Sequence, residues 1–108
     1  MIFANYIITC ADAKKASEVS EILNMVISRI KHTPGCIQTE LWINKDCYKF
    51  MVAEIWKTRT DFERHINSTL FKHLLEAMEI SSEKPDIRIS ECENIQGIEL
   101  IEEVMKPF

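Results

Sequence analysis

Residues 50–73, FMVAEIWKTRTDFERHINSTLFKH, contain the change of period that decides the fold. Up to Trp56 the side chains alternate between two faces, which is the period of a β-strand. Beyond that residue the apolar side chains recur at helical spacing instead. The end of the strand also brings a carboxylate, an indole and an imidazole, Glu54, Trp56 and His65, close together in the sequence. Such a group either lines a pocket or closes a core.

The chain before this stretch predicts a strand and a helix. Residues 2–11 are rich in β-branched and aromatic side chains, which favours a strand. Asp12 then offers a helix N-cap, and residues 13–32 carry one apolar stripe that is typical of a helix packed on a core. The stripe consists of Val19, Ile22, Leu23, Val26, Ile27 and Ile30. The sequence TPG at 33–35 ends this helix, because proline disfavours helix before it and glycine permits a tight turn.

Two strands of a hairpin follow. Residues 36–43 predict the second strand, and NKDC at 44–47 predicts the turn into a third strand over 48–57. In the second strand we expect one face to carry Ile37, Leu41 and Ile43, and the other to carry Cys36, Gln38, Glu40 and Trp42.

Two helices and a last strand complete the pattern. Thr58 or Thr60 caps a short helix, and Ser68 opens a further helix that runs to about residue 80. Apolar and polar side chains alternate weakly over residues 86–93, which predicts a fourth strand. The order βαββαβ belongs to the α+β class and is the ferredoxin-like plan, in which the helices cover one face of an antiparallel sheet. We therefore assign residues 1–93 to one domain. Residues 94–108 form an extension, helical over 98–105, that packs on the domain or on a partner.

Composition and charge narrow the function classes. The chain has 108 residues, which suits a single domain, and its formal net charge is −4. It has no block of Lys and Arg, which argues against nucleic acid and against an anionic membrane surface. Its apolar runs are too short to span a bilayer, and the N-terminal stretch does not resemble a signal peptide. Four cysteines without a CxxC pair indicate reduced thiols and a cytoplasmic protein.

The predicted sheet is apolar on both faces. In the first strand, Phe3 and Ile7 alternate with Ile2, Tyr6 and Ile8, and the third strand shows the same pattern. Because the helices cover only one face, the other would be a large exposed apolar patch. We therefore expect a homodimer through the sheet face. The alternative is a strand register that is wrong by one residue.

Three short motifs resemble the antibiotic biosynthesis monooxygenase family. They are PGC at 34–36, EIWKT at 54–58 and FERHINSTLFKHLL at 62–75, and the resemblance extends over residues 1–93. It implies a dimeric α/β barrel with a hydrophobic cavity in each subunit. It also implies oxidation of an aromatic or quinol-type substrate by O2 without a metal or flavin, so no cofactor is expected.

The branches of that family match this sequence to different extents. The haem-degrading branch shares Asn5, but its Trp and His positions fall on His65 and Leu75, which disfavours haem degradation. The polyketide-oxidising branch shares only Trp56 of its three residues. Relatives that oxidise quinols or process sugar phosphates share the pattern of Glu54, Trp56 and His65 best, and these two classes stay open.

The chemistry of a cofactor-free oxygenase selects the candidate residues. The substrate must become an anion that can pass an electron to O2, so the protein needs a base, a donor to the anion and a dry pocket. We expect His65 to be the base and Asn5 to donate to the anion. The residues expected to bind the substrate are Trp56, Phe50, Tyr6 and Phe71. Each candidate also has a structural interpretation in core or dimer packing. A small-molecule-binding dimer without catalysis, or a haem-binding protein, is the alternative function.

Overall fold

The computed structural model describes residues 1–93 and 96–105, and it contains the predicted order of strands and helices. The predicted plan βαββαβ is confirmed, with its second helical region divided into two helices. The elements are β1 (Ile2–Thr9), α1 (Ala13–Ile30), β2 (Cys36–Asn44), β3 (Lys49–Trp56), α2 (Arg59–Ile66), α3 (Thr69–Ile80), β4 (Asp86–Glu91) and α4 (Ile98–Val104).

The helix starts are fixed by side-chain caps, which satisfy backbone N–H groups that the first turn leaves unpaired. Asp12 accepts from the backbone N–H of Lys15 at 2.9 Å. Ser68 caps α3, as predicted. Of the two threonines proposed for the short helix, Thr58 is the cap of α2, and it accepts from the backbone N–H of Asp61 at 3.1 Å.

The four strands form one antiparallel sheet in the order β2-β3-β1-β4. Alternate residues of the two central strands are buried against α1, α2 and α3, which all pack on the same face. This core face of the central strands carries Ile2, Ala4, Tyr6, Ile8, Phe50, Val52, Glu54 and Trp56. One face of β1 and β3 thus packs on the core and the other points away from it, as the alternating sequence predicted.

The predicted faces of β2 need a correction at its start. Cys36 pairs with Trp56, but Gln38 already pairs with Ile55, so Ile37 is the extra residue of a β-bulge. The bulge moves Cys36 to the core side of the sheet, whereas strict alternation had assigned it to the face of Trp42. Alternation applies again from Gln38 onward, where direct pairing with β3 fixes the side of each residue.

The second face of the sheet has none of α1, α2 and α3 on it, and we call it the open face. It is formed by Phe3, Asn5, Ile7, Gln38, Glu40, Trp42, Met51, Ala53, Ile55, Asp86, Arg88 and Ser90. The apolar side chains of its central strands are half-buried in the single chain, and Trp42 is 58% exposed. The homodimer expected from this face stays a prediction.

The C-terminal helix α4 forms over nearly the range that its apolar spacing predicted. All described residues from 96 to 105 are exposed in the single chain, including Ile98, Ile101 and Val104. The assignment of this extension to the domain surface or to a partner stays a prediction. No helix among the described residues has the length and apolar character needed to cross a membrane.

Candidate active site

A buried carboxylate is the centre of the most unusual polar cluster in the fold. Glu54 lies in β3 among apolar neighbours and is 1% exposed. Its Oε1 accepts from the Tyr6 hydroxyl at 3.0 Å and from the Trp56 Nε1–H at 3.1 Å. Its Oε2 lies 3.0 Å from Nε2 of His65. Three partners offset the cost of removing a carboxylate from water, which explains how it can lie in a core.

Secondary structure brings these four residues together. Glu54 and Trp56 share a face because they are two apart in one strand. Ala4 pairs with Glu54, so Tyr6, two residues further along β1, is a diagonal neighbour of the carboxylate. The helix α2 begins directly after β3, and it returns His65 over the indole of Trp56, with ring centroids 4.4 Å apart.

One ring nitrogen of His65 has no hydrogen-bond partner among the described residues. The side chain is fully buried, and its Nδ1 is unpaired while Nε2 faces Glu54. An unpaired buried nitrogen costs on the order of 1–3 kcal/mol. Where Glu54 is ionised, Nε2 must carry the proton that is shared with it, because a carboxylate only accepts. In that tautomer a neutral His65 keeps Nδ1 as a free acceptor.

An apolar cleft lies beside this network, between the β1–β4 side of the sheet and the helices α2 and α3. Its volume is about 480 Å³, which is within the range of small-molecule sites. The cleft is lined by Tyr6, Phe62, Glu63, Ile66, Asn67, Phe71, Leu75, Ile87 and Ile89. Tyr6 is the only one of these that is hydrogen-bonded to Glu54, and Phe71 packs on both Tyr6 and His65. The two aromatic rings therefore connect the cleft with the buried network.

The environment of Tyr6 favours a neutral phenol. Burial raises its pKa well above the usual range, and the charge of Glu54 and the hydrogen bond to it raise the pKa further. Tyr6 therefore keeps its proton at physiological pH and shares it with the carboxylate.

Four of the six residues predicted for the site lie together. His65, Trp56 and Tyr6 belong to the network, and Phe71 packs against two of them. The other two lie elsewhere in the single chain. Phe50 is in the core near α1, where it lines a separate cavity of about 230 Å³. Asn5 is exposed on the open face, since it alternates with Tyr6, and it does not meet the cleft. The catalytic and binding roles of all six stay predictions.

Glu54 is the member of the site that the sequence argument underrated. It was not among the six residues predicted for the site. The structure pairs it within its own chain with Tyr6, Trp56 and His65. A usable signal was present, because a carboxylate on the same strand face as Val52 and Trp56 must enter the core and needs donors there.

Within residues 1–93 and 96–105, no three side chains of His, Cys, Asp or Glu are grouped closely enough to hold a metal ion. The expectation that no cofactor is needed stays a prediction.

One family model matches this chain. The model of the family described as antibiotic biosynthesis monooxygenase matches residues 1–77. No curated protein is significantly similar in sequence. Among solved structures, a protein from Deinococcus radiodurans named as a candidate antibiotic biosynthesis monooxygenase is 16% identical. It superposes with a TM-score of 0.72, covering 90% of this chain and 100% of that protein.

Two further structures extend the range of the likeness. A protein from Pseudomonas aeruginosa is 20% identical with a TM-score of 0.72, and the superposition covers 86% of this chain and 94% of the Pseudomonas protein. A mutant of SnoaB from Streptomyces nogalater is 12% identical with a TM-score of 0.69, and SnoaB is described as a cofactor-independent oxygenase. The superposition covers 87% of this chain and 94% of the SnoaB chain. At these identities the superpositions demonstrate a common fold and nothing finer.

Proposed function

The chain belongs to the antibiotic biosynthesis monooxygenase family, and from that membership we propose that it is a cofactor-independent monooxygenase. The substrate is a small aromatic or quinol-type molecule that binds in the apolar cleft and reacts there with O2. One observation carries the proposal: a wall residue of the cleft, Tyr6, is hydrogen-bonded to the buried pair of Glu54 and His65. A mainly apolar cleft with a hydrogen-bonded phenol in its wall can bind a ring and accept one proton from it.

The stoichiometry of the reaction explains why no external reductant is needed. When a quinol is converted to a hydroxyquinone, the substrate supplies all four electrons that O2 takes up. One oxygen atom enters a new C–O bond on the ring, and the other leaves as water with two hydrogens from the substrate. The step that the protein must assist is removal of the hydroxyl proton, because the resulting anion is the form that passes an electron to O2.

The hydrogen bonds define a route for that proton. Tyr6 donates to Glu54, so its oxygen keeps lone pairs that can accept from a substrate hydroxyl. As the substrate proton reaches the Tyr6 oxygen, the phenolic proton moves on to Glu54. His65 shares its Nε2 proton with the other carboxylate oxygen and stabilises the pair. In this scheme Glu54 and His65 together are the base that was predicted for His65 alone, and Tyr6 is the group that contacts the substrate.

The apolar walls of the cleft provide surfaces on which the substrate ring can pack. Phe62 and Phe71 offer aromatic surfaces for packing against a ring, and Ile87 and Ile89 form the wall on the β4 side. A ring bound against these walls would displace water from the cleft, and this strengthens the interaction between the anion and its polar neighbours. The family's haem-degrading branch is less well supported, because Leu75 rather than a histidine lines this cleft.

Oxygen consumption is the direct test. A panel of reduced naphthoquinols and hydroxylated anthrones is incubated with the protein and isotopically labelled O2, and products are analysed by mass spectrometry. We expect enzyme-dependent O2 uptake and one labelled oxygen atom in the product. Saturable binding of these compounds without O2 uptake would instead support the alternative, a small-molecule-binding protein without catalysis. If the protein showed neither binding of these compounds nor O2 uptake, the proposed use of this cleft would be refuted.

A further inference from the structure

The apolar cleft continues beyond the part that Tyr6 lines. A second cavity of about 270 Å³ lies next to it, and the two cavities share Phe62, Glu63 and Ile89 as lining residues. The residues that line only the second cavity are Ile2, Arg59 and Glu91. The shared walls make the two cavities successive parts of one groove, and we call the second part the end cavity.

The groove follows β4 because the helices leave this strand uncovered. Ile87 pairs with Tyr6, and Glu91 pairs with Ile2. Both residues of β4 therefore lie on the core side of the sheet, with Ile89 between them, yet all three are exposed in the single chain. At about 3.4 Å per residue, the stretch of strand from Ile87 to Glu91 is roughly 14 Å long. A ring bound at Tyr6 thus leaves part of the groove free.

The walls of the end cavity are apolar below its rim. Ile2 and Phe62 are buried and form its inner surface, and Ile89 forms the wall on β4. A polar substituent placed against these side chains would lose its hydration without gaining a hydrogen bond from them. A hydrocarbon chain would instead remove apolar surface from water. The end cavity is therefore suited to an apolar extension of the ring.

Three charged side chains form the rim of the end cavity. The guanidinium of Arg59 lies 3.0 Å from the carboxylate of Glu63 and 3.8 Å from that of Glu91. Arg59 and Glu63 belong to α2 and Glu91 belongs to β4, so these contacts connect the two sides of the groove. Among the described residues that line the two cavities, Arg59 is the only cation. The rim thus has two negative charges against one positive charge.

We propose that the substrate is a quinol-type ring that bears an apolar side chain and no anionic substituent, with the ring at Tyr6 and the chain in the end cavity. This inference rests on the proposed function, since it places the reacting ring in the same cleft. Glu63 and Glu91 then determine specificity, because they repel a chain that ends in a carboxylate, sulfate or phosphate. Of the two substrate classes that the sequence left open, the rim favours quinols over sugar phosphates.

The length of the side chain is the first test. Oxidised naphthoquinones that carry an unbranched alkyl chain, from methyl to octyl, are titrated against the full chain by isothermal titration calorimetry. Complete burial of one methylene strengthens binding by up to about fourfold, and burial in an open groove by less. We expect the Kd to fall by roughly twofold for each added methylene, and to stop falling once the chain reaches Arg59 and Glu91. A Kd that did not depend on chain length would overturn the proposal.

The charge of the rim is tested with two ligands of equal chain length, one ending in a methyl group and the other in a carboxylate. The carboxylate should weaken binding to the wild type. In Glu91→Lys the rim has two positive charges against one negative charge. The ratio of the two Kd values should therefore fall by at least about fivefold, and added salt should reduce this change. An equal ratio in the wild type and Glu91→Lys would overturn the assignment of specificity to the rim.

Glu18→Lys is the matched control, because it makes the same charge change at an exposed position of α1 that does not line the groove. The ratio of its two Kd values should equal that of the wild type, and circular dichroism confirms that each variant is folded. If the methyl compound binds and its quinol consumes O2 while longer chains add no affinity, only this inference is wrong. If no naphthoquinone binds, the proposed function is refuted and this inference with it.

Discussion

Replacing Tyr6 with phenylalanine removes one hydroxyl group and leaves the shape of the cleft unchanged. The side chain is 1% exposed, and its oxygen lies 3.0 Å from Oε1 of Glu54. The ring keeps its packing on Phe71, with centroids 6.0 Å apart. Any effect of Tyr6→Phe therefore reports on the hydrogen bond and on the proton route, rather than on apolar packing.

The effect on stability follows from the number of donors that remain. A hydrogen bond to a charged group contributes about 1.5–3 kcal/mol. Glu54 keeps Trp56 and His65 as partners, so the carboxylate is not left alone. We expect a loss at the lower end of that range. For a domain of this size, a loss of about 1.5 kcal/mol lowers Tm by roughly 5–10 °C, which still leaves a folded protein.

The effect on turnover should be much larger. Positioned proton transfer contributes roughly 10²- to 10⁴-fold to a rate. Phenylalanine cannot accept the substrate proton or pass one to Glu54, so O2 uptake with a quinol should fall by at least about 100-fold. Ligand affinity should change little, because the cleft remains apolar and of the same size. The measurements are an oxygen electrode, a fluorescence titration with the oxidised quinone, and thermal unfolding.

Tyr48→Phe is the matched control, because Tyr48 lies by the separate cavity near α1 and has no contact with the network. It should keep wild-type activity and binding. If Tyr6→Phe retained more than half of the wild-type rate, the proposed route through Tyr6 would be wrong. If it lost binding and activity together, the hydroxyl would be holding the cleft in shape rather than moving a proton.

Three further predictions concern pH, a tight turn and the cleft wall. Burial and the adjacent carboxylate raise the pKa of Tyr6 above its usual 10.0, so only the unfolded chain releases this proton just above that pH. Stability should therefore be lost as pH rises above about 10, less steeply in Tyr6→Phe, and equal slopes in thermal scans would contradict this. Gly35→Ala should cost on the order of 2 kcal/mol in denaturant unfolding, because Gly35 has φ 87° and an added Cβ would overlap the side chain of Asp61. Gly97→Ala, which meets nothing closer than 3.4 Å, is its control, and equal losses would show that the turn is not strained. Ile89→Ala removes apolar surface from the cleft wall and should weaken quinone binding about threefold to tenfold without unfolding the protein, since Ile89 is 53% exposed; an unchanged Kd would place the ligand elsewhere.

Much of the fold follows from local pattern. Period-two alternation identified the strands, and a single apolar stripe identified α1, because burial of one face imposes these periods directly. The bulge at Ile37 was not predictable in this way. An extra residue is recognised only when the partner strand fixes which residues are opposite each other, and that pairing is a property of the assembled sheet.

The sequence predicted several members of the candidate site but not its central residue, Glu54. Side chains alternate between the two faces of β1 and β3, and this alternation places Tyr6 and Trp56 on the core side. The same alternation places Asn5, next to Tyr6, on the open face. The role of Glu54 depends on three partners from β1, β3 and α2. Their convergence requires the register of two strands and the return of a helix, and no local spacing encodes it.

The edge strand β4 has a further consequence, because its exposure leaves one wall of the cleft without the burial of the central strands. Ile87 and Ile89 line the cleft, and all six residues of β4 are exposed in the single chain. A ligand held between β4 and the helices would cover this apolar surface. Because such a ligand binds only the folded chain, it would also raise the free energy of unfolding. The ligand would then be a structural component of the fold as well as a reactant.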